Sequence, residues 1–138
     1  MIVTTSRDPS ARARRFAKAL ASFLSVQYFN RGKQGLDEGE LWLIVGEDHG
    51  NPARLVKRLG ESEEQLSFSL SGEPEGRRLC RQAPKVAGEG EFAQPVARFF
   101  ELELACSTDI RCGRIIHAAP GIIDFMDEGI SRFRLMTT

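Results

Sequence analysis

Thr4-Thr5-Ser6-Arg7-Asp8-Pro9-Ser10 is the segment whose residue types most suggest chemistry. Hydroxyls and a guanidinium meet where a strand-like run, Ile2-Val3-Thr4-Thr5, gives way to a helical pattern. The free N–H groups of a helix N-terminus attract anions, so this arrangement suits a phosphate group. A plain helix cap explains the same residues, and Asp8 would partly repel an anion placed among them. The two histidines offer less. Asp48 stands beside His49 and could orient its imidazole. The stretch Glu47 to Pro52 is also an ordinary polar turn, and no serine or cysteine in a nucleophile-elbow pattern lies nearby. Cys80, Cys106, Cys112 and His117 match a Cys₃His zinc set in number. The spacing from Cys106 to Cys112 is wider than the usual knuckle, and cysteine commonly serves as a small buried hydrophobe. No P-loop or dinucleotide glycine pattern occurs. The sequence therefore predicts no catalytic residue, no metal and no cofactor.

Charge points elsewhere. Lysine plus arginine number 19 and aspartate plus glutamate 19, for a formal net charge of zero. Up to Leu36, however, Arg7, Arg12, Arg14, Arg15, Lys18, Arg31 and Lys33 face Asp8 alone, seven minus one or +6, leaving −6 for the remainder. Fifteen of the 19 cations are arginines, whose planar fork binds phosphate bidentately and stacks on bases. A basic patch on a neutral protein suggests an anionic partner docking on one face. A solvated surface explains the same count.

These residues need elements to hold them. Ile2 to Thr5 predicts a buried strand. Ser6 and Asp8 are good helix caps and Pro9 suits a first helical position. From there to Leu24, Ala13, Phe16, Ala17, Leu20, Phe23 and Leu24 form one apolar stripe. Arg14 and Lys18 lie opposite Phe16 on that wheel, with Arg15 on the flank. Val26 to Phe29 predicts a short strand, ended by the turn Asn30-Arg31-Gly32-Lys33. The run Leu41-Trp42-Leu43-Ile44-Val45 predicts a central strand covered on both faces. Asn51 and Pro52 suggest a second helix from Pro52 to Leu59, and Gln65 to Leu70 alternates as one strand. A loop-rich joint follows from Gly72 to Gly90, with a weak strand signal at Leu79-Cys80-Arg81. Gln94 to Leu104 fits a helix started by Pro95, although Phe100 to Leu104 also alternates as a strand would. Arg114 to His117, Ile122 to Met126 and Ile130 to Met136 predict three strands, the last two a hairpin.

Strands alternating with helices imply an α/β layer architecture. At 138 residues the chain fits one domain with a real core. Ala13-Arg14-Arg15-Phe16 is echoed by Val96-Ala97-Arg98-Phe99, so two similar halves are expected, about 1–71 and 72–138. No apolar run approaches the roughly 20 residues that span a bilayer, and the N-terminus lacks an apolar h-region. Three cysteines are too few, and odd in number, for a secreted disulfide scaffold. A cytoplasmic chain with reduced thiols and no membrane partner is expected.

Val3-Thr4-Thr5-Ser6-Arg7-Asp8-Pro9-Ser10, followed by Arg15-Phe16-Ala17-Lys18-Ala19-Leu20, resembles the opening signature of the Brix-domain ribosome-assembly family. Asn30-Arg31-Gly32-Lys33, the stretch Leu43 to Leu55, and Gln65 to Leu70 resemble that family's next blocks, in order. Ile123-Asp124-Phe125 and Ile130-Ser131-Arg132-Phe133-Arg134 resemble its closing strands. Arg132 is inserted into the usual Ile-Ser-Phe-Arg pattern, which puts the final register in question. The chain lacks the long extensions of eukaryotic members and resembles a compact archaeal type. The resemblance implies two copies of a fold similar to the anticodon-binding domain of class IIa aminoacyl-tRNA synthetases. It also implies a non-enzymatic factor that binds precursor rRNA during ribosome assembly. On that basis the RNA-binding residues expected are Ser6, Arg7, Arg14, Lys18, Arg31 and Lys33, supported by Arg12 and Arg15. These groups are expected to gather on one surface. Tyr28 is a candidate base-stacking platform or, more simply, a core residue. An alternative is a protein scaffold, in which the acidic second half (Glu73, Glu75, Glu89, Glu91, Glu101, Glu103) or the edge of the final hairpin recruits other assembly proteins.

Overall fold

The computed structural model describes residues 1–74, 79–106 and 113–137. The first sheet contains β1 (Ile2–Thr5), β2 (Gln27–Tyr28), β3 (Leu41–Asp48), β4 (Asn51–Leu59) and β5 (Ser62–Ser67), in the order β2-β1-β3-β4-β5. Helix α1 (Ala11–Leu24) is the crossover that lets β1 run parallel to both β2 and β3. Its cap is Ser10, whose Oγ accepts from the Ala13 N–H at 3.1 Å, and not Ser6 or Asp8. Those two continue out of β1: the Ser6 N–H donates to the Val45 carbonyl and the Asp8 N–H to that of Gly32, each at 3.0 Å. The central strand β3 is buried on both faces, as its apolar run predicts.

The expected helix from Pro52 to Leu59 is a strand. His49 (φ 51°) and Gly50 (φ 80°) form a two-residue turn with both residues left-handed, the geometry that suits tight hairpins. It returns β4 antiparallel along β3, with Val45 opposite Leu55. Leu55, Val56 and Leu59 happen to fit a helical stripe, but only Leu55 enters the core while Leu59 is exposed. Pairing with β3 on one side and β5 on the other overrides that local pattern.

The second sheet holds β6 (Ser69–Ser71), β7 (Lys85–Ala87), β8 (Arg114–Ala119), β9 (Ile122–Asp127) and β10 (Ile130–Met136), in the order β6-β10-β9-β8-β7. The single strand expected from Gln65 to Leu70 is split. Phe68, buried between β5 and β6, marks where the chain leaves the first sheet for the second, so β6 pairs with β10. That pairing covers Arg134 to Met136, so the final hairpin does not offer the continuous free edge expected of it. Leu79 to Arg81 is not a strand; β7 takes that place instead. Helix α2 (Gly90–Phe100) begins before the expected start at Pro95 and ends at Glu101, a left-handed cap.

The two sheets repeat one topology. β7 runs parallel to β8 as β1 does to β3, with α2 following β7 as α1 follows β1. Antiparallel hairpins then complete each unit. Leu104 makes a parallel bridge to Val86, in the place that β2 takes beside β1. The sequence echo itself is out of step with this repeat. Phe16 lies well before the cap Ser25, whereas Phe99 lies two residues before Glu101. Arg132 is absorbed by a bulge between Ser131 and Phe133, which keeps Phe133 facing inward opposite Phe125.

Helix α1 contributes to the aromatic centre of one shared core. Phe16 meets Phe68 and Phe133, and Phe23 meets Phe125 and Phe133, with ring centroids 5.2–6.0 Å apart. Each fully buried ring contributes about 1.5–3 kcal/mol by removal from water. Two cations lock the halves reciprocally. Arg114 of β8 donates from Nη1 to the Phe23 carbonyl at 3.1 Å and to the Gln82 carbonyl at 2.8 Å, and from Nη2 to the Cys80 carbonyl at 2.8 Å. Lys57 of β4 donates to the Arg98 carbonyl at 2.9 Å and pairs with Glu101 at 2.9 Å. Each half thus supplies the cation that closes the C-terminus of the other half's helix, where positive charge is favoured.

Gly88 enters α2 at φ +126°, and a Cβ there would meet the Ala118 carbonyl oxygen at 2.2 Å. Gly88→Ala should therefore cost about 1–3 kcal/mol of backbone strain, measured by urea unfolding. A variant as stable as the parent would show that this approach is not tight.

Candidate nucleic-acid interface

Arg14 and Lys18 point outward from α1, on the side away from the phenylalanine core, and both are exposed. The Lys18 ammonium lies 5.8 Å from the centroid of the Tyr28 ring on β2, a cation–π distance. The two elements flank a groove of about 540 Å³ bordered by Lys18, Ser22, Ser25, Gln27, Tyr28 and Arg81. Tyr28 is half-buried and its hydroxyl has no hydrogen-bond partner among the described residues. Burial pushes that hydroxyl's pKa above its ordinary value, against the pull of Arg14. The groove floor is held by backbone locks: Ser22 Oγ accepts from the Leu79 N–H at 3.0 Å, and Ser25 Oγ from the Gln82 N–H at 2.8 Å. A cationic rim, an aromatic ring and a fixed floor are what an unpaired nucleotide strand needs, since backbone charge and base stacking are both served.

The remaining expected residues go elsewhere. Arg12 bonds Glu73 at 2.8 Å and also the Asn51 side-chain oxygen, and Arg15 lies 3.9 Å from the other Glu73 oxygen. Arg31 is largely buried, with Nη1 donating to the Thr5 carbonyl at 3.2 Å, and it does not border this groove. Arg7 borders a different cleft with Arg31. Lys33 is exposed on the turn after Arg31. The early cations therefore form separate groups, and the single gathering surface expected of them is not present. The N-terminus of α1 is also not an open anion site. Ser10 Oγ occupies one N–H, and the Ser10 N–H donates to the Glu47 carboxylate at 3.1 Å. A carboxylate of β3 thus stands where a phosphate was expected, and the backbone N–H of Ser6 is taken by the Val45 carbonyl.

No protein-family model matches the chain. Over 150 residues it is 33% identical to a probable Brix domain-containing ribosomal biogenesis protein of Methanosarcina mazei, covering 97% of this chain and 94% of that one. It is 34% identical over 149 residues to the like-named protein of Methanosarcina barkeri, covering 98% and 95%. The chain belongs to the Brix-domain family. Among solved structures it superposes on the crystal structure of Mil, an archaeal Imp4-like protein, with a TM-score of 0.81 and 28% identity, over 99% of this chain and 95% of that one. A probable ribosomal biogenesis protein from Aeropyrum pernix K1 shares the fold at a TM-score of 0.64 and 23% identity, over 99% and 95%.

In this Brix-domain chain the candidate chemistry outside the groove is thin. His49 is exposed in the hairpin turn, 3.5 Å from Asp48, and His117 is exposed on β8. Cys80 and Cys106 are exposed; Cys112, the remaining cysteine of the Cys₃His set, lies outside the described residues. Among the described residues no three His, Cys, Asp or Glu side chains stand together, and no helix is long and apolar enough to cross a membrane. Arg81 is the groove residue that sequence reasoning missed. Its signal was the run Arg77-Arg78-Leu79-Cys80-Arg81, whose first two members lie outside the described residues.

The Glu73 clamp is testable. Glu73→Gln leaves Arg12 and Arg15 without their carboxylate, so RNA affinity at low salt should rise and its salt dependence should steepen. Stability should change by no more than about 1 kcal/mol, because these pairs are exposed. Filter binding at several salt concentrations checks the first point and thermal unfolding the second.

Proposed function

We propose that this protein serves ribosome biogenesis as a non-catalytic factor that binds precursor rRNA along the groove between α1 and β2. The observation that carries this reading is the groove that Lys18, Tyr28 and Arg81 border, with the Lys18 ammonium 5.8 Å from the Tyr28 ring centroid and Arg14 exposed one turn earlier on the same helix. Phosphate contacts supply most of the affinity and an unpaired base stacks at Tyr28. The names of the relatives and of the Imp4-like structure support the ribosome-assembly setting. The repeated topology supports treating residues 1–138 as one domain of two related units; that each is akin to the anticodon-binding domain of class IIa aminoacyl-tRNA synthetases is what the sequence resemblance implies.

The rival reading, a scaffold for other assembly proteins, keeps the exposed acids Glu89, Glu91 and Glu103. Of its other acids, Glu73 engages Arg12 and Glu101 engages Lys57, and Glu75 lies outside the described residues. Nuclease treatment separates the two. Association with ribosomal precursors should be lost on digestion if RNA is the partner, and should survive if a protein is.

A further inference from the structure

The face of the first sheet turned away from α1 carries a second group of cations. Alternation along β3 puts Leu43 and Val45 in the core with α1, and Trp42 and Ile44 on the far face. Arg58 is the register partner of Trp42, so it stands on the far face as well. The segment after β2 folds across that face. Phe29 lies against Trp42 with ring centroids 5.6 Å apart, and Trp42 Nε1 donates to the Asp37 carbonyl at 2.7 Å. Between segment and sheet is a cleft of about 390 Å³ bordered by Arg7, Arg31, Asp37, Glu38, Trp42 and Arg58.

Arg31 is its fixed member. It is only 8% exposed, Nε donates to the Gln34 carbonyl at 2.7 Å and Nη1 to the Thr5 carbonyl at 3.2 Å, while among the described residues Nη2 has no hydrogen-bond partner. Among the described residues no carboxylate pairs with Arg31 or Arg7, and Arg58 meets Glu63 only at 3.5 Å. The Asp37 carboxylate is turned to the Gly39 N–H at 2.9 Å, and Glu38 is exposed. Burial, then the charges of Arg7 and Arg58, hold the Arg31 pKa below its ordinary value. With its unpartnered Nη2 reaching solvent and two like charges beside it, the Arg31 guanidinium gains from an anion that completes it.

We propose that the Arg7–Arg31–Arg58 cleft binds a phosphate group, with Arg31 as the preorganised donor and Arg7 and Arg58 closing on the anion. Arginine forks match the tetrahedral oxygens of phosphate by paired hydrogen bonds. This site lies on the opposite face from the α1 groove and does not depend on RNA docking there. The phosphate belongs either to an RNA backbone or to a small free compound.

Trp42 is the only tryptophan in the chain, so its emission reports on this cleft. The full chain is titrated with inorganic pyrophosphate and, separately, with a short RNA lacking terminal phosphates. Arg7→Gln, Arg58→Gln and the double variant Arg14→Glu/Lys18→Glu are compared with the parent. The expected result is a saturable change in emission with at least one probe, weakened about tenfold or more in Arg7→Gln and Arg58→Gln. A response to RNA alone assigns the phosphate to a nucleic-acid backbone; any response to pyrophosphate admits a small free compound. Pyrophosphate binding retained in Arg14→Glu/Lys18→Glu, whatever becomes of its RNA binding, keeps this site distinct from the groove. The proposal is overturned if neither probe changes the emission, if both glutamine variants bind as the parent does, or if only the double variant loses the pyrophosphate response.

Discussion

Replacing Arg114 by methionine lowers the unfolding free energy by about 3–5 kcal/mol, the usual effect of removing one partner from a buried charged network. Arg114 is 2% exposed, and its guanidinium lies 5.4 Å from the Phe23 ring centroid while donating to the carbonyls of Phe23, Cys80 and Gln82. Its pair with Asp127 is loose, at 3.5 Å, so the carbonyls are the larger part of its role. Methionine matches the stem but leaves the buried Phe23 carbonyl and the part-buried Cys80 carbonyl without this donor, each at about 1–3 kcal/mol before water relieves some of it, while the Gln82 carbonyl keeps the Ser25 hydroxyl at 2.7 Å. Among the described residues, the Asp127 carboxylate would retain only Arg132, at 3.8 Å. Lys57→Met, the reciprocal change, costs less because its acceptor Glu101 is exposed and water can replace the ammonium. Urea unfolding of both variants checks the ranking, and a loss below about 1 kcal/mol for Arg114→Met would show that the lock is dispensable.

Reversing Arg14 and Lys18 to glutamate should weaken binding of a precursor rRNA fragment about 100-fold at low salt. Two lost charge-assisted contacts at about 1.5 kcal/mol each amount to roughly two decades. The log–log salt slope should also fall by about 1.4, or roughly 0.7 for each single-strand phosphate released. Folding should scarcely notice, because both side chains are exposed. The Lys18–Tyr28 contact at 5.8 Å accounts for at most about 1 kcal/mol. The same reversal at Arg12 and Arg15 should have a smaller effect on RNA, since Glu73 already engages both. Equal losses from the two pairs would mean that charge, and not the groove, sets the affinity.

Much of this was legible in the chain. β1, α1, β3 and the three closing strands were set by local signals: a β-branched run, one apolar stripe, a continuous apolar run and glycine turns. β4 was not, because Leu55, Val56 and Leu59 sit where helix and strand patterns agree, and the deciding feature was the His49-Gly50 turn. β6 and β7 are three residues each and exist through partners far away in sequence. For the candidate site, composition located the cations but could not say which were spoken for. Glu73 reaches Arg12 from across a sequence separation of 61 residues, and Glu47 reaches the start of α1 from 37. Arg31 counts as surface charge in the sequence and as buried scaffold in the fold. The Arg132 insertion, which put the register in question, is resolved by one bulge.

Ultraviolet cross-linking of the full chain to a precursor rRNA fragment, with the adducts mapped by mass spectrometry, asks where nucleotides lie against this molecule. Adducts at Tyr28 and in the peptides carrying Lys18 and Arg81 are the predicted outcome, since an unpaired base should stack on that ring. Adducts confined to β8, β9 and β10, with Tyr28 unmodified, would place the RNA on the other half and contradict the groove.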